Sequence, residues 1–123
     1  MKFYIASRCQ EAARAIRDEL QAAGHTVTSR WLEETNYGAD KTDAERMAIA
    51  SIDHADVIAC DYLVFRSEPD GARVPGGKHV EMGMALALHR PVFVIGAREN
   101  IFHWHPSVHV VGNVAEMLAS LTP

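Results

Sequence analysis

Short apolar runs alternate with stretches of helical periodicity along the whole chain, and this alternation limits the possible folds more than any single motif. Residues 2–6 read as a buried strand, and Ser7 stands where it would cap the next helix. That helix carries Ala12, Ala13, Ile16, Leu20 and Ala23 at helical spacing and stops at Gly24. Residues 25–29 alternate as a short strand, and residues 33–41 form a polar loop with Asn36-Tyr37-Gly38 as its turn signal. A helix is expected over 43–52, with Met47, Ile49 and Ile52 among its apolar positions. The third strand is expected at 57–60, extending toward Phe65, followed by an exposed, mobile loop over 66–75 rich in Gly, Pro and charge. A helix opens at Gly76-Gly77, a nearly all-apolar strand covers 91–95, and a strand at 108–111 and a helix over 113–121 close the chain. Apolar strands alternating with helices imply a parallel sheet covered on both faces. Right-handed crossovers then give a doubly wound, flavodoxin/Rossmann-like three-layer α/β sandwich of five strands in the order 2-1-3-4-5, forming one domain over 1–123.

In such sheets ligands bind outside the carboxyl ends of the strands. This places Ala6, Ser7, Arg8, Asp61, the Gly76-Gly77 turn and residues 96–100, including Asn100, around one mouth. Composition narrows what that mouth can serve. A net charge of −4 without a basic run leaves no electrostatic footprint for a nucleic-acid polymer. No segment approaches the roughly 20 apolar residues that a membrane helix needs, and no export signal precedes the first strand, so a cytoplasmic protein without a membrane partner is expected. Cys9 and Cys60 have no CxxC or zinc-ligand spacing and read as free structural thiols.

The segment from Gly76 to Leu88 holds the sharpest chemical candidate. Its glycine pair opens an apolar helix with Glu81 in the first or second turn, where unpaired N–H groups and the positive dipole end favour an anion. Glu81 is therefore either an ionised nucleophile or a helix stabiliser. Asp61 is a second candidate carboxylate, and His79 stands two residues before Glu81 as a mouth residue or an ordinary exposed one. A phosphate loop is excluded because Lys78 is followed by His79 rather than Ser or Thr, and no GxGxxG follows the first strand. No GxSxG is present, and the close pair His103 and His105 lacks a completing ligand, so no cofactor and no metal are expected.

The chain resembles the nucleoside 2-deoxyribosyltransferase-like superfamily, which includes deoxynucleoside 5′-monophosphate N-glycosidases. The resemblance lies in residues 2–7, 24–31, 52–57, 77–87 and 91–96, standing in the family's order, with G-x-x-x-E-x-G-x-A at Gly77-Lys78-His79-Val80-Glu81-Met82-Gly83-Met84-Ala85 as its specific part. It implies that Glu81 attacks the anomeric carbon of a deoxyribosyl unit, giving a covalent glycosyl-enzyme that passes to another base or to water. It also implies a small nucleoside or nucleotide as partner, and a homodimer or higher homo-oligomer. Ser7 matches a position that holds the 5′-phosphate in the monophosphate glycosidases. Phe3 stands where the family usually has a tyrosine beside the nucleophile, with Tyr4 on the opposite face. Ala48 and Pro75 replace two further polar residues, and Glu45 and Asp61 are the nearest substitutes. The resulting expectation is cleavage or transfer at the N-glycosidic bond of a (deoxy)nucleoside or its 5′-monophosphate. The alternative is a nucleotide-binding module of the same fold without catalysis.

Overall fold

The computed structural model describes residues 1–69 and 75–121. Five parallel strands lie in the order β2-β1-β3-β4-β5, as the alternation predicts. They are β1 (Lys2–Ala6), β2 (Thr26–Val27), β3 (Tyr62–Arg66), β4 (Val92–Ile95) and β5 (Val108–Val111). Helices α1 (Gln10–Ala22) and α4 (Val114–Leu121) pack together on one face of the sheet, while α2 (Asp43–Ile58) and α3 (Gly77–Ala87) pack together on the other. Single 3-10 turns at Arg30–Glu33 and Ile101–Trp104 follow β2 and β4. Strands β1, β3 and β4 each have a neighbour on both sides, which explains why Phe3, Tyr4, Ile5, Leu63, Val64, Phe65, Val92 and Val94 are all fully buried. Each such side chain contributes about 1.5–3 kcal/mol relative to exposure.

Four local expectations change. Cys9, not Ser7, caps α1, its thiol accepting from the Ala12 N–H, while the Ser7 hydroxyl braces the turn against the Cys9 backbone. Helix α4 starts one residue late because Asn113 is its cap, its side chain accepting from the Glu116 N–H. The second strand shrinks to Thr26–Val27, because Ser29 leaves the ladder and its hydroxyl accepts from the Ile5 N–H at 2.7 Å.

The largest change is at α2, which runs to Ile58 rather than ending near residue 52. The Thr42–Glu45 capping box starts it firmly, and Val57 turns into the core from the last turn. The β-branched pair Val57-Ile58 therefore ends a helix and does not begin a strand. The true third strand starts at Tyr62, in register with Phe3. Arg66 closes that strand, so only part of the expected 66–75 loop is loop, and residues 70–74 lie outside the described residues. After β4 the chain turns at Gly96, where φ is +115° and a Cβ would come within 3.0 Å of the Ser67 Cβ, which leaves no room for a side chain.

Candidate functional site

A cleft of about 480 Å³ opens at the carboxyl ends of the strands. Its walls come from the loop after β1 (Ser7, Arg8), the segment after β2 (Trp31, Glu34, Tyr37), one face of α2 and the start of α3. The α2 face presents Arg46, Ile49, Ala50 and Asp53, and that spacing of three to four residues is what one side of a helix requires. From α3 come Gly77 and Glu81, related by i,i+4, with Pro75 just ahead of them. Trp31 and Tyr37 form a tilted ring pair with centroids 5.4 Å apart. The Trp31 indole donates to the Ile5 carbonyl at 2.9 Å, and the Gln10 amide donates to the Trp31 and Glu34 carbonyls, so α1 fixes this wall.

Glu81 sits at the fifth position of α3, one turn beyond the free N–H groups at the helix start. Tyr4, on the adjacent β1, donates its hydroxyl to Glu81 Oε2. Burial pushes the Glu81 carboxyl up to about 7; the Tyr4 hydrogen bond opposes this and the nearby Asp53 charge adds to it. Dipole stabilisation therefore does not keep Glu81 acidic, contrary to the sequence reading. Burial wins because the dipole's influence fades within the first turn. Tyr4 itself is raised well above the usual phenol range, chiefly by burial and then by the Glu81 charge, so it remains a donor.

Asp53 faces the same cleft. Burial, then the Glu34 and Asp56 charges, push its carboxyl up to about 6 against the pull of Arg30. Its Oδ1 is inaccessible and has no hydrogen-bond partner among the described residues. Asp56, one turn further on, is fully committed: its oxygens receive the Arg30 backbone N–H and guanidinium at 2.8–3.2 Å. The first turn of α3 is anchored from behind by Lys78, which is buried. Its ammonium meets Glu99 at 3.0 Å and Glu68 at 3.3 Å and lies 4.6 Å from the centre of the Phe65 ring.

The expected site residues divide accordingly. Ser7, Gly77 and Glu81 line the cleft together, and Gly76 caps the start of α3 beside it. Ala6 is fully buried at the end of β1, under Ser7. Asp61 is at the opposite end of the sheet, ahead of β3, where its Oδ2 accepts from the Lys2 N–H at 2.8 Å. This corrects its placement at the mouth. Phe3 is also corrected: it is fully buried away from the cleft, stacked on Tyr62 and edge-on to His25. His79 and Asn100 pair with each other at 3.1 Å in a separate, mostly apolar hollow formed with Met82, Leu86, Ile101 and Phe102. Two positions on a helix point about 200° apart, so His79 and Glu81 cannot share a face. Glu45 spends its carboxylate on the Thr42 N–H and is no stand-in for a cleft acid. Tyr4 and Asp53 are not among the expected site residues; the i,i+3 and i,i+4 steps from Arg46 through Ile49 to Asp53 are the available sequence signal for the α2 face.

Residues 3–114 match the model of the nucleoside 2-deoxyribosyltransferase family. Among solved structures, the chain is similar to a 2-deoxyribosyltransferase from Bacillus psychrosaccharolyticus, with 19% identity and a TM-score of 0.66, covering 95% of this chain and 90% of that one. It is also similar to a CMP N-glycosidase from Clostridium botulinum, with 17% identity, a TM-score of 0.61 and 98% of both chains covered. A conserved protein from Enterococcus faecalis matches at 15% identity and a TM-score of 0.65, covering 97% and 95%. These likenesses establish a shared fold. No curated protein sequence matches the chain significantly.

Proposed function

We propose that this chain, which belongs to the nucleoside 2-deoxyribosyltransferase family, breaks the N-glycosidic bond of a nucleoside or nucleotide, with Glu81 as the nucleophile. The observation that carries this reading is the Tyr4–Glu81 pair inside the cleft. Tyr4 occupies one carboxylate oxygen and fixes the rotamer, leaving the other oxygen for a carbon centre. A carboxylate so held attacks C1′ of the sugar as the base departs, passing through an oxocarbenium-like transition state to a glycosyl-enzyme ester. Water or a second base then attacks the same carbon and releases Glu81. Its partial desolvation suits this role, since a buried carboxylate is a stronger nucleophile than a hydrated one. The pair Trp31 and Tyr37 supplies an aromatic wall for a planar base.

Tyr4 donates to Glu81 as a tyrosine beside the nucleophile would, which weakens one of the three departures that favour a binding module. Two remain, Ala48 on the exposed side of α2 and Pro75 at the cleft edge. One assay separates the readings: incubation with deoxynucleosides, ribonucleosides and their 5′-monophosphates, with and without an acceptor base. The enzyme reading expects free base from at least one of them, and its loss in Glu81→Gln. Tight binding of an intact nucleotide without base release would instead establish the binding module.

A further inference from the structure

Behind α3 stands a charged cluster that the cleft does not use. Lys78 is buried, and its ammonium donates to Glu99 Oε2 at 3.0 Å, to Glu68 Oε1 at 3.3 Å and to the Arg66 carbonyl at 3.3 Å. Glu99 Oε2 also accepts the Glu68 N–H at 2.9 Å, and Glu99 Oε1 lies 3.6 Å from His79 Nε2. Glu99 is braced in turn, because the fully buried His103 accepts the Glu99 N–H on Nδ1 at 2.8 Å. One carboxylate on the loop after β4 thus grips Lys78 and faces His79, consecutive residues in the first turn of α3. Gly76, just ahead, has no side chain with which to cap that turn. A buried ammonium is tolerated only where acceptors surround it, so Lys78 has one low-energy place to stand.

We propose that Glu99 is a positioning residue for Glu81: through Lys78 it fixes the rotation of α3 about its own axis, and with it the aim of Glu81 at Tyr4. Lys78 and Glu81 stand at i,i+3, on nearly one side of the helix, so whatever holds the first holds the second one turn on. The leverage is large. At a side-chain radius of about 5–6 Å, turning a helix by about 10° moves a carboxylate by about 1 Å. A misplacement of that size can cost about 100-fold in rate when the displaced group is the one that reacts. Glu99 does not line the cleft, so its influence passes through α3 and not through contact with a substrate. Its effect on rate rests on the glycosyl-transfer reading, whereas its effect on the Tyr4–Glu81 contact does not.

Two conservative variants separate reach from charge. Glu99→Gln keeps the length of the side chain and an oxygen for Lys78, while Glu99→Asp keeps the charge and withdraws it by one methylene. A grip that works by position predicts kcat within about threefold of wild type for Glu99→Gln and about tenfold lower for Glu99→Asp, with KM within about threefold in both. A charge felt at a distance predicts the reverse order. Circular dichroism of both variants confirms the fold.

A double-mutant cycle with Tyr4→Phe completes the test, because changes at residues that share no network add independently. In the wild-type background at pH 6, Tyr4→Phe is expected to lower kcat/KM about tenfold. In a Glu99→Ala background, where Lys78 is left to Glu68, the same change is expected to cost less than about threefold. Read as denaturant midpoints at pH 8, the cycle needs no substrate. The drop on Tyr4→Phe is then expected to shrink to about half or less when residue 99 lacks its carboxylate. Glu99→Asp carries the cycle in its place should Glu99→Ala not fold. The reverse order of the Gln and Asp variants, or the full Tyr4→Phe loss in both backgrounds, would overturn the role of Glu99 while leaving that of Glu81 intact. A wild-type protein that releases no base defeats the glycosyl-transfer reading, and the midpoint cycle then decides the positioning alone.

Discussion

Tyr4 shows how much one residue of register decides. Phe3 and Tyr4 are adjacent on β1, and a strand sends successive side chains to opposite faces, so an offset of one exchanges core filler for site residue. Phe3 stacks in the sheet's other layer, and Tyr4 reaches Glu81 on α3. Removing the hydroxyl in Tyr4→Phe takes away the interaction that holds the Glu81 carboxyl down, so the rising limb of kcat/KM should move to higher pH. Loss of about tenfold or more in kcat/KM at pH 6 is expected, shrinking as the pH rises. A pH–rate profile checks both the loss and its direction.

Glu81 also carries a stability signature. Its folded-state value of about 7 lies above the ordinary 4.5, so between those values the native state holds the proton more firmly than the unfolded chain does. Stability conferred by the protonated form is complete below about pH 4.5 and is lost as the pH rises through about 7. Glu81→Gln keeps an acceptor for Tyr4 without the charge. It is expected to stabilise the protein at pH 8 by about 2–3 kcal/mol, a rise in Tm of roughly 5–10 °C, and to give no gain near pH 4. Thermal melts of the two proteins at both pH values measure this directly. A buried carboxylate whose ionised form costs fold stability is a common feature of functional sites.

At the scale of elements, the legible parts were those with strong periodicity or clear punctuation. The stops at Gly24 and Gly96, the apolar strand β4 and the opening of α3 all follow from local chemistry visible in the chain. The end of α2 did not. Val57-Ile58 is β-branched and apolar, and only burial of Val57 against the sheet decides that it closes a helix. That single boundary displaced the third strand and with it Asp61, which moved from an apparent carboxyl end to the amino end. Asp53 was obscured for the same reason, because a helix ending near residue 52 leaves it off the face that lines the cleft. The junction of β3, α3 and β4 gives a test at this scale. Lys78→Ala leaves Glu68 and Glu99 facing each other behind α3 without their shared cation, at an expected cost of about 3 kcal/mol. Denaturant unfolding of the variant should show a lower midpoint and an unchanged slope. At the β4 exit, Gly96→Ala combines a disallowed φ with a 3.0 Å contact on Ser67 and is expected to cost about 1–3 kcal/mol by the same measurement.

For the whole molecule, the sheet order follows from alternation and handedness, and the cleft follows from the sheet order. Sequence could therefore place Glu81, Gly77 and Ser7 at the rim where the cleft opens. It could not choose among His79, Asn100 and the α2 face, because that choice depends on how two helices rotate about their axes once packed. No helix among the described residues is long and apolar enough to cross a membrane. What the assembled molecule offers is Glu81 on α3 and Asp53 on α2 lining one cleft, with Tyr4 from β1 donating to Glu81.

Trapping the glycosyl-enzyme tests that arrangement most directly. A nucleoside or 5′-monophosphate with a 2-deoxy-2-fluoro sugar destabilises the oxocarbenium-like transition states and lets the covalent ester accumulate. Intact-protein mass spectrometry should then show a gain of one fluorinated sugar per chain, peptide mapping should put it on Glu81, and Glu81→Gln should show none. Base release without any adduct, or an adduct on another residue, would contradict the account.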